Sequence, residues 1–97
     1  MPKRYPPLSP TEVIEILETR GYTFVRTVGS HRRYQGRIRG QLRSVTVDMH
    51  YSQFDDKLLK RMMDQSGLTR EEFYGTIKAA AHKINLRADE YPVPLKD

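Results

Sequence analysis

The sequence predicts an α+β domain: a three-stranded antiparallel sheet with helices on one face, in the order α-β-β-β-α, plus an extra helix at the C-terminal end. Three observations carry this. Two segments, about 10–20 and 54–66, carry apolar residues at helical spacing between recognisable start and stop signals. The stretch between them, Tyr22 to Met49, is rich in β-branched and aromatic residues and is broken by "GS" and "RGQ". Its last part, "SVTVDM", alternates Val45, Val47 and Met49 with Ser44, Thr46 and Asp48, which makes one face apolar and the other polar.

Each element has its own local reason. The first ten residues hold four prolines and read as an extended arm. In "SPTEVIEILETRGY", Ser9 stands as N-cap, Pro10 at N1 where its missing N–H costs nothing, and Glu12 at N3 completes a capping box. Val13, Ile14 and Leu17 form the apolar stripe, and Gly21 supplies the left-handed exit. Strands are expected near 22–28, 31–38 and 43–49. "FDDKLLKRMMDQSG" sets Leu58, Leu59, Met62 and Met63 at helical spacing, with acids in the first turn and Gly67 at the end. Thr69 and Glu72 repeat the capping-box spacing and predict a third helix over about 70–85 through Phe73, Ile77, Ala80, Ala81 and Ile84; "RADEYPVPLKD" reads as a loose tail. The expected organisation is an arm over 1–8, a core over 9–68, and a helix and tail over 69–97 packed on or extending that core.

Composition narrows the chemistry. Ninety-seven residues make one small domain with one modest core and room for a minimal site. No apolar run is long enough to cross a bilayer, and the basic N-terminus has no apolar segment behind it, so a soluble, cytoplasmic protein is expected. With no Cys there are no disulfides, thiolate metal sites or cysteine nucleophiles. Seventeen Lys and Arg against twelve Asp and Glu give a net charge of +5, which favours an anionic partner such as nucleic acid.

The candidate site lies in "GSHRRY". Opposed residues in a hairpin share a face, and a one-residue slip reverses every side chain. Centring the hairpin between Arg39 and Gly40 sets Tyr34 opposite Val45 on the apolar face and His31 opposite Asp48 on the polar one. The slipped register would bury His31 and expose Tyr34, so the first is preferred. His31 then stands on an open sheet face behind Ser30, with Arg33 beside it, Arg32 at the adjoining position and Asp48 across the ladder. An imidazole can take a ribose 2′-OH proton or give one to a departing 5′-oxygen; guanidinium groups offset phosphorane charge, and a carboxylate fixes the histidine tautomer. The ribose brings its own nucleophile, so no metal and no cofactor is expected. Residue type alone leaves His31 open between this role and an inert surface group.

His50 ends the third strand and is open between a second acid–base group and a solvent-facing residue, while His82 is expected away from the sheet. The three histidines have no short metal-ligand spacing. Arginines 32, 33, 37, 39 and 43 crowd one hairpin, as either a phosphate-binding patch or a solvated surface. Tyr22 and Tyr51 are open between stacking on bases and packing.

The α-β-β-β-α order resembles the double-stranded-RNA-binding fold. More specifically, the helix ending in "RGY", the stretch "FVRTVGSHRRY", the strand "SVTVDMH" and the segment "LLKRMMDQSGLTREEF" together resemble the HicA toxins of prokaryotic HicA–HicB modules, over about Val13 to Phe73. The resemblance implies an mRNA interferase, a small endonuclease toxin that cleaves messenger RNA and blocks translation. It implies a HicB-type antitoxin partner that covers the active surface. It also implies that the histidine of Gly-Ser-His, here His31, is catalytic. Two features depart from the family's pattern: "HYSQFDDKLLKR" carries Asp55 and Asp56 where a basic or neutral loop is common, and the chain continues beyond Phe73. A non-catalytic RNA-binding module on the same basic face is the alternative reading.

Overall fold

A computed structural model describes residues 4–96, in the order α1 (Pro10–Thr19), β1 (Thr23–Val28), β2 (His31–Ile38), β3 (Gln41–Asp48), α2 (Asp56–Ser66), α3 (Arg70–Tyr74) and α4 (Lys78–Lys83). The expected fold class is the one observed. Ser9 Oγ accepts from the Glu12 N–H at 3.2 Å and Glu12 Oε1 accepts from the Ser9 N–H at 2.9 Å, so α1 starts with the reciprocal box its spacing implies. Asp55 caps α2, and Gly67, at φ +73°, ends it in the left-handed region.

The three strands form one antiparallel sheet in the order β1-β2-β3. Arg39 and Gly40 both have positive φ, 49° and 80°, which suits a two-residue hairpin turn whose twist matches the strands. That turn locks the register in which Tyr34 faces Val45 and His31 faces Asp48, as strand parity predicts. It also starts β3 at Gln41, two residues earlier than expected, because pairing begins immediately at Ile38 and Gln41.

Helices α1 and α2 cover one face of the sheet. Val13, Ile16 and Leu17 of α1 and Leu59, Met62 and Met63 of α2 are buried in one core with Tyr34, Ile38, Val45 and Val47. Each such side chain contributes roughly 1.5–3 kcal/mol of burial. Among the described residues the opposite face carries no helix, and β1 is exposed along its whole length. The arm is tied down where Phe54 N–H bonds Leu8 O at 2.8 Å and Tyr74 Oη donates to Pro6 O at 2.7 Å.

The single helix expected over 70–85 is instead two short ones. Thr76 turns its hydroxyl onto Glu72 O at 2.7 Å, and Arg20 Nη2 reaches the same carbonyl at 2.8 Å. The Thr76 N–H bonds Phe73 O rather than that carbonyl. Gly75 O accepts from Val93 N–H at 2.9 Å, so the tail takes a bond the next helical turn needs. A Cβ at Gly75 would run into Glu71 O, Leu86 and Val93. The period still marks the buried face: Phe73, Tyr74 and Ala80 join the same core, with Ile77 and Ile84 packed against it.

Candidate active site

The site is assembled by the β1–β2 turn and the end of β3. Gly29, at φ +59°, makes the turn, and Ser30 then stitches the two hairpins together: its backbone O accepts from Met49 N–H at 2.8 Å, and its Oγ donates to Asp48 Oδ1 at 2.7 Å. The His50 N–H donates to the same oxygen at 3.0 Å. The second oxygen, Oδ2, lies 3.3 Å from His31 Nε2. The Ser30 hydroxyl, then the His50 N–H, hold the Asp48 carboxyl below its ordinary value against the opposing effect of partial desolvation, with His31 and His50 adding a smaller electrostatic pull.

This arrangement orients His31 without burying it. Its side chain is 58% exposed, against 24% for Asp48. With the Asp48 carboxylate at ion-pair distance from Nε2, a neutral ring is favoured with its proton on that nitrogen, which presents Nδ1 as the acceptor. Arg33 lies two residues along on the same face, half-buried, and forms no ion pair with any described residue.

Ser30, His31, Arg33 and Asp48 are thus brought together, and Arg32 is not. Arg32 pairs with Val47 and shares the parity of Tyr34, so it starts from the helix-covered side of the sheet. The five hairpin arginines divide in the same way. Arg39 is engaged by Glu72, Gly67 O and Lys96 O, and Arg43 lies against Gly67 and bonds Gln41, which leaves Arg33 and Arg37 on the His31 face. Arg26 joins them from β1, directly opposite Arg33. Sequence reasoning missed it because the register shifts between Phe24 and Arg26, and such an irregularity hides parity.

The other candidates resolve individually. Tyr22 is buried, its hydroxyl donating to Ser66 O at 2.8 Å, and burial pushes its pKa up to about 12; it packs. Tyr51 stays 42% exposed. His50 serves Asp48 through its backbone, while its ring meets Tyr51 edge-on. His82 is exposed on α4, beside Arg87. Among the described residues, no three His, Asp or Glu side chains are grouped to hold a metal ion, and no helix is long and apolar enough to cross a membrane.

A family model described as the HicA toxin of bacterial toxin–antitoxin matches residues 10–68. The chain belongs to the HicA toxin family. Comparison with curated proteins finds no match. The HicA match spans every element that builds the site, from the first turn of α1 through β3 and α2, and ends before α3.

Proposed function

We propose that this HicA-family protein is an endoribonuclease toxin that cleaves messenger RNA without a resident metal, is neutralised by a HicB-type antitoxin, and acts in the cytoplasm. The observation that carries the reading is the exposed His31 ring, held by an Asp48 carboxylate that is itself fixed by Ser30 and the His50 N–H. In this reading His31 Nδ1 takes the proton of a ribose 2′-OH. The 2′-oxygen bonds to phosphorus, the bond from phosphorus to the 5′-oxygen breaks, and that oxygen leaves with a proton from solvent. The products are a cyclic 2′,3′-phosphate and a free 5′-hydroxyl. The imidazolium formed on the way is stabilised by Asp48, and Arg33, with Arg26 and Arg37 around it, faces the charge growing on the phosphorane oxygens.

The site sits within 9–68, and 69–97 acts as its buttress, because Phe73 and Tyr74 complete the core beneath the sheet. Expression in bacteria is expected to arrest growth and His31→Ala to relieve the arrest. In vitro, RNA cleavage is expected to persist in excess EDTA. Loss on chelation with recovery on adding a divalent ion contradicts the metal-free chemistry, and RNA binding without cleavage assigns the chain to the non-catalytic module.

A further inference from the structure

His31 and Asp48 also line one wall of a cleft of about 240 Å³ between the open side of β3 and helix α2. Phe54 and Met62 form its buried apolar part, and Tyr51, Arg61 and Gln65 complete it. At this volume it has room for one nucleobase rather than a drug-sized ligand, for which roughly 300–1,000 Å³ is typical.

Its polar groups have a definite sense. The N–H of Thr46 donates to Gln65 Oε1 at 3.3 Å, which fixes which end of the Gln65 amide is oxygen. The Nε2 end has no hydrogen-bond partner among the described residues, so the cleft offers a donor positioned for a carbonyl oxygen. Tyr51 is tilted on Phe54 with ring centroids 5.7 Å apart, which holds a partly exposed aromatic ring at the cleft. Arg61 is exposed and forms no ion pair with any described residue, which adds a positive charge on the α2 side.

We propose that this cleft is a base-recognition subsite that takes a pyrimidine of the RNA strand next to the phosphate at His31. Tyr51 stacks on the base, Gln65 Nε2 donates to its O2 carbonyl, and Arg61 faces the backbone of that nucleotide. Adenine has no carbonyl for Gln65, whereas uracil and cytosine both present O2. The inference rests on the endoribonuclease reading for its substrate, and the binding measurement below separates the two.

The test uses the full chain carrying His31→Ala, so that bound RNA stays intact, with short single-stranded oligonucleotides of uridine, cytidine and adenosine. The uridine and cytidine strands are expected to bind more tightly than adenosine. Tyr51→Ala should weaken pyrimidine binding roughly 5- to 150-fold, the range for losing one stacked base. Gln65→Glu keeps an oxygen for Thr46 N–H, removes the donor and adds a negative charge, so it should weaken binding of every strand and erase the ratio of pyrimidine to adenosine affinity while the protein stays folded in thermal unfolding. A ratio that survives Gln65→Glu in the folded protein, or no pyrimidine preference at the start, overturns the subsite. Wild-type cleavage of the same strands is measured alongside. Cleavage lost in His31→Ala with a ratio indifferent to Gln65 leaves the nuclease standing and removes the subsite. A Gln65-dependent ratio in a wild type that cuts nothing upholds the subsite and removes the nuclease.

Discussion

The two ends of the β2–β3 hairpin each hold a carboxylate against a cation, and they use it differently. At the turn end, Glu72 is 1% exposed. Its oxygens accept from Arg39 at 2.9 and 3.2 Å, from Thr69 N–H at 2.9 Å and from Lys96 N–H at 2.7 Å. Burial alone pushes its pKa up, yet the Arg39 bond and the two backbone donors more than offset this and bring it down to about 2. At the open end, Asp48 has one oxygen occupied by Ser30 and His50 and the other turned to an exposed imidazole. The partners differ in kind: a guanidinium only donates hydrogen bonds, whereas a neutral imidazole has one nitrogen that donates and one that accepts. A guanidinium with both terminal nitrogens engaged makes a structural clamp that joins the hairpin, α3 and the tail. A titratable ring with one nitrogen left open makes a group able to move a proton.

Substitutions at the two ends should therefore have opposite signatures. The largest stability effect is expected from Glu72→Ala, which strands Arg39 and uncaps α3: a loss of about 3 kcal/mol in denaturant unfolding. Because the folded pKa lies below the ordinary value of 4.5, this contribution is present above that value and falls as pH drops from 4.5 toward 2. The acid limb of stability against pH should accordingly be shallower in Glu72→Ala. An unchanged limb would move the clamp elsewhere. Next in size, Asp48→Asn should leave unfolding within about 0.5–1 kcal/mol of wild type, as for a surface substitution, while lowering RNA cleavage roughly tenfold as the His31 tautomer loses its partner. A stability loss matching that of Glu72→Ala would make both ends structural. The smallest effect is expected from Arg33→Ala, read as weaker RNA binding with a salt slope reduced by about 1, since one phosphate contact disappears.

What the sequence revealed and what it hid follow from the range of the interactions. The caps at Ser9 and Thr69 depend on residues three apart, and the His31 and Asp48 pairing depends on a tight turn plus the alternation in "SVTVDM", so each is readable locally. The same parity that joins His31 to Arg33 sends Arg32 toward the side of Tyr34, a separation that the density of arginines in the hairpin conceals. The Arg39 and Glu72 clamp spans 33 positions and the Thr46 and Gln65 contact spans 19, and no spacing rule reaches that far. Helical periodicity over 70–85 marks the buried side correctly but is blind to Val93, whose N–H donates to Gly75 O from the C-terminal tail.

In the proposed mechanism His31 contributes chemistry and not fold or affinity. This is tested most directly by measuring cleavage and binding of one RNA by wild type and His31→Ala, with thermal unfolding as the control. Cleavage is expected to fall 10²–10⁴-fold, roughly the contribution of a positioned acid or base, while affinity, its salt dependence and the unfolding temperature stay close to wild type. Undiminished cleavage by a folded His31→Ala protein would contradict it.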